Sequence, residues 1–153
     1  MKSRDLTFEP ELEAIIKKCE ACTLSMIDDE NQPYAVPMNF GYENGRLFLH
    51  SAPEGLKIEI LKNHPQVCIT FSTDHELRFQ NSEVACSYSM KYRSVQIMGE
   101  VIFIEDMEKK QAALDVIMHQ YTDNTFKYSE PALKNVCVME VLVRQINGRA
   151  YGY

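Results

Sequence analysis

The sequence predicts a mainly β fold, in which a small antiparallel barrel or sandwich is flanked by a few helices. Six or seven short runs have strand-like composition, whereas only three stretches show helical periodicity. Asn44-Gly45 separates two of the strand-like runs, and this dipeptide is a strong signal for a β-hairpin. Because 153 residues is an ordinary length for one domain, we expect residues 1–153 to form a single domain.

The first half of the chain predicts one helix followed by three strands. The helix has an apolar face with i, i+3, i+4, i+7 spacing, made by Leu12, Ile15, Ile16 and Cys19. Strands are predicted at residues 23–27, 34–40 and 46–50. Pro37 has no N–H to donate to a β-ladder, so the strand that contains it should be bulged or lie at a sheet edge.

The second half predicts, in order, a short helix at 55–63, a strand at 67–72, a long strand at 92–104, a helix capped by Asp106 and a final strand at 135–143. Residues 73–83 are polar and carry no clear signal for an element. The apolar residues of the long strand share one parity, and Gly99 among them indicates a bend or a close contact. The final strand is apolar on both parities, which is typical of a central strand.

Charge and hydropathy limit the classes of partner. The formal net charge is -6 and the pI is about 5.2, which argues against a nucleic-acid surface, because such surfaces are basic. No apolar run approaches the roughly 20 residues of a membrane span. The amino-terminal residues also lack the apolar segment of a signal peptide. We therefore expect a cytoplasmic protein without nucleic-acid or membrane partners.

The five cysteines are an odd number scattered through predicted helices and strands, which favours reduced thiols over a disulfide framework. Cys19 and Cys22 form a CxxC pair. A structural zinc site would need a second ligand pair, and none follows at the required spacing. We interpret the pair as two small buried residues at a helix end, and we predict no metal site.

The stretch HSAPEGLK, at 50–57, joins a predicted strand to a predicted helix. The first amide groups of a helix lack acceptors and carry the positive end of its dipole, so such a turn can bind an anion. Gly55 allows close approach of the backbone, Ser51 offers a hydroxyl, and Lys57 places a cation in the first turn. An ordinary Pro-Gly turn with a solvated lysine is an equally good interpretation of the spacing alone.

A second cluster, SYSMKYRS at 87–94, precedes the long strand and combines aromatic rings, cations and hydroxyls. Arg93 shares the parity of the buried face, so its guanidinium needs a phosphate or carboxylate partner unless it reaches past the strand end. An ordinary salt bridge to one of the 22 acidic residues would also satisfy it.

Three stretches occur together in order: VPMNF at 36–40, HSAPEGLK at 50–57, and YRS at 92–94 with Gly99-Glu100 after it. In this order and spacing the sequence resembles the flavin-mononucleotide-binding split-barrel proteins. Within these it is most similar to the small pyridoxamine 5'-phosphate oxidase-like group that includes the nitroimidazole-reductase (antibiotic-resistance) proteins. The resemblance covers residues 24–143.

The resemblance implies a homodimer of six-stranded antiparallel split barrels, with two flavin mononucleotide (FMN) molecules in grooves at the dimer interface. The matching cofactor-binding positions lie along the flavin ring, beside the phosphate and ribityl chain, and in the groove wall: Pro37, Met38 and Asn39; His50, Ser51 and Lys57; Tyr92, Arg93 and Ser94. His50 also matches the position associated with the active site in the nitroimidazole-reductase relatives. A structural histidine at a strand end is the alternative interpretation of His50.

The implied function is an FMN-dependent oxidoreductase that passes electrons to a small acceptor, with nitroaromatic compounds such as 5-nitroimidazoles as one possibility. NAD(P)H would have to bind transiently over the exposed flavin, because no GxGxxG motif is present. True pyridoxamine-phosphate oxidases carry an Arg and a His near the carboxyl terminus. Here Arg149 has no such His, so vitamin B6 oxidation is not expected.

Other functions fit the same fold. A non-enzymatic flavin- or haem-binding barrel is one, with His64, His75 and His119 as candidate axial ligands. A deazaflavin fits less well, because few cations cluster for its acidic tail. A cofactor-free dimeric interaction module is another alternative. An absorption spectrum of the purified protein distinguishes these alternatives.

Overall fold

The computed structural model describes residues 2–153. The eight strands are β1 (Ser3–Leu6), β2 (Cys22–Ile27), β3 (Pro33–Met38), β4 (Phe40–Glu43), β5 (Arg46–Ser51), β6 (Gln66–Arg78), β7 (Ser89–Ile104) and β8 (Cys137–Tyr151). The four α-helices are α1 (Glu9–Lys18), α2 (Leu56–Asn63), α3 (Met107–His119) and α4 (Glu130–Lys134), and one 3-10 turn lies at Ala85–Ser87. The predicted fold class, a mainly antiparallel β protein with flanking helices, is confirmed.

The strands form one antiparallel sheet in the order β3-β2-β6-β7-β8-β5-β4, and β1 pairs with the end of β8. The two ends of this path, β3 and β4, are consecutive in the chain and separated only by Asn39. The sheet therefore curls until its ends meet, and the chain rather than a β-ladder closes it. This is a split barrel, with eight strands in place of the six expected. Pro37 lies on the edge strand β3, as predicted.

The core fills the barrel and continues under the helices. On β7 the inward side chains alternate with outward ones, for example Val95, Ile97 and Val101. Helix α1 buries Leu12 and its apolar neighbours against the same core. Helix α3 packs on the outside of the barrel, and a Cβ added to Gly41 would lie 2.5 Å from the Ile117 backbone nitrogen. Glycine at position 41 therefore allows α3 to pack directly on β4.

Two strands are longer than predicted. β8 continues to Tyr151 past a bulge opposite Gly99, and its inward positions there hold Gly148 and Ala150, whose small side chains carry no apolar signal. β6 continues to Arg78 and pairs with the start of β7 in a polar hairpin. The predicted strand at 34–40 is in fact broken at Asn39. β1 and α4 were not predicted, because elements this short carry no clear periodic signal.

Candidate functional site

Two of the three predicted groups meet at one corner of the barrel. β4 pairs Phe40 with Leu49 of β5, and extending that register by one residue places Asn39 opposite His50. Pro37 and Met38 precede Asn39 on the edge strand, and the Met38 side chain is buried. The break between β3 and β4 therefore adjoins the end of β5, where the turn into α2 begins.

The break at Asn39 is held by Tyr121, a residue just beyond α3. The Tyr121 hydroxyl accepts hydrogen bonds from the Phe40 backbone nitrogen and from Asn39 Nδ2, both at 3.2 Å, and donates to the Glu20 carbonyl at 2.8 Å. It thus satisfies a backbone donor that neither ladder uses. The sequence does not single out Tyr121, because no local pattern indicates a partner 81 residues away.

The outer edge of β3 is open. β2 pairs with one side of β3, and no other strand pairs with β3 among residues 2–153. An edge strand presents backbone N–H and C=O groups in a row, although Pro37 contributes no N–H. Such an edge beside Asn39 can hydrogen-bond the polar rim of a planar ring.

His50 lies half-buried at the end of β5, and its ring makes no hydrogen bond within the part of the chain that the structure describes. Burial lowers the pKa of its imidazole. A neutral imidazole offers one donor and one acceptor. His50 is therefore available to a ligand or substrate at this corner, and the satisfied structural role considered above lacks an observed partner.

The turn after His50 leaves the start of α2 uncapped. Ser51 Oγ donates to the Ala52 carbonyl at 2.8 Å. Gly55 is the residue before the helix, with φ of 131°, and no side chain caps the first turn. A Cβ added to Gly55 would meet nothing within 4 Å, so open space lies in front of it. The first amides of α2 are consequently free to bind an anion.

Lys57 is the half-buried cation at this uncapped turn. Of the described lysines and arginines, three are half-buried: Lys57, Lys91 and Arg93. Lys91 pairs with Glu76 and Arg93 with Asp74, whereas Lys57 forms no ion pair or side-chain hydrogen bond. A cation at a helix N-terminus is electrostatically unfavourable unless an anion offsets it. Glu59 also lies in this first turn, although among the described residues it forms no ion pair with Lys57. The unpaired Lys57 and the free amides are therefore compatible with the anion-site interpretation.

The third predicted group lies elsewhere and divides between two faces of β7. Tyr92 and Ser94 line a groove of about 630 Å³ on the outside of the barrel, beside Arg149. Arg93 points the other way: it donates to Asp74 Oδ2 at 2.8 Å, and its guanidinium lies 3.7 Å from the centre of the Tyr153 ring. The salt bridge considered for Arg93 is the contact observed.

One protomer does not bring Tyr92 and Ser94 to the corner at His50. His50 pairs with Val138, and Val138 pairs with Ile104 of β7. Ser94 lies ten residues earlier on β7, or about 33 Å along an extended strand. A shared site for these groups therefore needs a second copy of the chain.

The remaining candidates are three histidines and the CxxC pair. His64 Nε2 pairs with Asp29 and His75 Nε2 hydrogen-bonds Ser72 at 2.7 Å, whereas His119 is exposed. Burial raises the pKa of Cys22 to about 12, which fits a buried apolar role for the CxxC pair. Within residues 2–153, no cluster of three metal-ligating side chains and no helix able to span a membrane is found.

Comparison with known proteins identifies relatives of both sequence and fold. The family model for pyridoxamine 5'-phosphate oxidase matches residues 9–150. A crystal structure of a proposed 5-nitroimidazole antibiotic resistance protein from Bacteroides thetaiotaomicron is 49% identical, with a TM-score of 0.88, and the match covers 97% of this chain and 87% of that one. No protein of curated function matches the sequence.

More distant structures share the fold. A FAD- and haem-binding protein from Mycobacterium smegmatis is 14% identical, with a TM-score of 0.86 over 97% of this chain and 74% of that one. A flavocytochrome from Azotobacter vinelandii is 16% identical, with a TM-score of 0.84 over 97% and 70%. The family match spans nearly the whole chain, and the relative at 49% identity shares its architecture. The chain belongs to the pyridoxamine 5'-phosphate oxidase family.

Proposed function

We propose that this protein is an FMN-dependent oxidoreductase that binds FMN at the corner formed by Asn39, His50 and Lys57. The observation that carries the proposal is the half-buried, unpaired Lys57 ammonium at the uncapped start of α2. The family match and the 49% identical relative support it.

The residues at this corner suit the chemistry of FMN. A phosphate needs a cation and N–H donors, which Lys57 and the first amides of α2 supply. The Ser51 hydroxyl is within the same turn and is available if it leaves the Ala52 carbonyl. The open edge of β3 from Pro37 to Asn39 suits the polar rim of the flavin ring. Met38 buries its side chain beneath that edge and supports it from the core.

The complete groove is proposed to form between two copies of the chain. Tyr92 and Ser94 line a groove too far from His50 to act on the same corner in one protomer. The outer face of the sheet also carries large apolar side chains that are 41–45% exposed: Ile27, Met98, Ile102 and Leu142. A homodimer that covers this face would bring Tyr92 and Ser94 to the corner of the partner. Arg93 contributes to the site only through Asp74 and Tyr153, which fix the start of β7.

If FMN is held by Lys57, the first amides of α2 and the edge of β3, it would supply the redox chemistry between NAD(P)H and an acceptor. The neutral imidazole of His50 can accept a proton or donate a hydrogen bond at the acceptor, since its ring is free of partners among the described residues. The acceptor that we propose is a nitroaromatic compound such as a 5-nitroimidazole, on the strength of the 49% identical relative. Arg149 pairs with Asp5, which gives no support to vitamin B6 oxidation.

The test is NAD(P)H-dependent reduction of a 5-nitroimidazole by the FMN-loaded protein, followed at the nitro absorption band. We expect turnover that falls in His50→Ala while FMN remains bound. FMN binding without turnover of any nitroaromatic would restrict the function to flavin binding. A protein that does not bind FMN would favour the alternative of a cofactor-free interaction module.

A further inference from the structure

A second cavity, of about 240 Å³, lies between α2, the end of β7, α3 and α4. Its volume is below the usual range for cofactors and drug-sized ligands, so it suits a small ion or acid. The polar or charged residues that line it are Lys62, Lys110, Lys134, Glu105 and Cys137. It adjoins the corner at Lys57, since Pro53 and Ile58 of the same turn and helix line it. Neither Lys57 nor His50 lines it.

Lys110 is the unusual residue of this cavity. It is 6% exposed, and its ammonium donates to the carbonyls of Leu133 and Val136, both at 2.9 Å. It forms no ion pair with an acidic residue of the described chain. These two contacts tie α3 to the end of α4, yet an ammonium has three donors, and one remains for the cavity. A buried charge without a counterion is costly, so an anion beside it would be bound favourably.

The other lining groups leave the charge of Lys110 uncompensated. Lys62 is exposed and unpaired, and Lys134 pairs with Glu130 outside the cavity. Among the described residues, Glu105 is the one acidic residue that lines the cavity. It forms no ion pair with a lysine. Burial raises the pKa of Cys137, so its thiol stays neutral and supplies no negative charge.

We propose that this cavity is a binding site for a small oxyanion, a phosphate or a carboxylate, held by the ammonium groups of Lys110 and Lys62. The lining combines a buried donor with a second cation at the mouth, while Val136 and Val138 exclude water from one wall. This site does not depend on flavin binding at the other corner.

The test is a titration of the ¹⁵N-labelled protein with inorganic phosphate, and separately with acetate, each matched to sodium chloride for ionic strength. We expect saturable amide shifts at Glu105, Lys110 and Val136. Cys137 pairs with Ser51 of the turn at 50–57, so its shift does not separate the two sites. Shifts at Leu56 and Lys57 report the flavin corner and are scored separately. Saturation by phosphate alone assigns a phosphate site, and saturation by both anions assigns a general oxyanion site; each outcome supports the proposal.

Two variants and a control decide which residues act. Lys62→Gln, at an exposed position, should raise the apparent Kd for the anion by about threefold, as expected for the loss of a partly solvated charge. Lys110→Met keeps most of the buried volume and should abolish the saturable shifts. Lys109→Gln, the exposed neighbour of Lys110, should leave them unchanged. The proposal would be overturned if the shifts grew linearly with anion concentration or if sodium chloride reproduced them. It would also be overturned if the apparent Kd were unchanged in Lys62→Gln.

Discussion

Replacing Lys57 by Gln tests the proposed phosphate site, because it removes the charge while keeping most of the side chain. A charge-assisted hydrogen bond to phosphate is worth about 1.5–3 kcal/mol. Since 1.4 kcal/mol is tenfold in affinity, the Kd for FMN should rise roughly 10- to 150-fold. Lys57 is half-buried, so solvent screens its charge less than that of a fully exposed lysine.

The same substitution should have the opposite effect on the protein without FMN. A cation in the first turn opposes the dipole of α2, so its removal should raise the free energy of unfolding by a few tenths of a kcal/mol. Weaker FMN binding together with an unchanged or higher stability therefore separates a lost ligand contact from a damaged fold. Fluorescence titration gives the affinity, and urea unfolding gives the stability.

Lys62→Gln is the matched control, because Lys62 is an unpaired lysine in the last turn of the same helix. Its Kd for FMN should change by less than about twofold, as for a distant and screened charge. If Lys57→Gln binds FMN as tightly as the unaltered protein, or if both variants lose the same affinity, Lys57 does not contact the phosphate.

Three further predictions concern His50, Tyr121 and Asp74. Burial lowers the pKa of His50, so protonation of the ring opposes the folded state. An NMR titration should therefore give the ring a pKa below the ordinary value of about 6.5. The free energy of unfolding should fall as the pH drops below about 6.5. A His50 pKa at or above that value would contradict the burial argument. Tyr121→Phe removes the acceptor of the buried Phe40 N–H. It should lower the free energy of unfolding in urea by about 1–3 kcal/mol and weaken FMN binding. An unchanged urea midpoint would mean that water replaces the hydroxyl. Burial raises the pKa of Asp74, but hydrogen bonds from Arg93 and Lys18 lower it overall, so this group stabilises the fold above about pH 4 and loses that effect on acidification. Asp74→Asn should lose about 1 kcal/mol at pH 7 and little at pH 3, and an equal loss at both would refute the ion-pair account.

The fold could be predicted where local patterns coincide with burial. The hairpin at Asn44-Gly45, the helix capped by Asp106 and the close packing at Gly99 all follow from residue type and spacing, and the structure confirms each one. A Cβ at Gly99 would lie 2.4 Å from the Leu142 carbonyl oxygen, which explains the glycine in a buried strand. Small or polar inward residues give no such pattern, so the sequence predicts that the last strand ends at 143. In the structure β8 continues to Tyr151.

The candidate site could be predicted only in part. The turn HSAPEGLK identifies Lys57 and His50, because a strand-to-helix turn has defined donors. Sequence parity placed Arg93 on the inner face, but it could not choose between a phosphate and Asp74, which depends on a bulge at Thr73/Glu76. The contact of Tyr121 with Asn39 joins distant segments and leaves no local pattern. The proposal that Tyr92 and Ser94 reach this corner from a second copy of the chain likewise concerns assembly, for which the sequence carries no local signal.

The measurement that tests the account most directly is an absorption spectrum of the purified protein after incubation with FMN and desalting. FMN binding at the Lys57 corner predicts retained flavin bands at one FMN per chain, and loss of those bands in Lys57→Gln under the same desalting. A colourless protein that binds no FMN would contradict the proposed cofactor. A strong Soret band without flavin bands would instead identify a haem protein of the same fold.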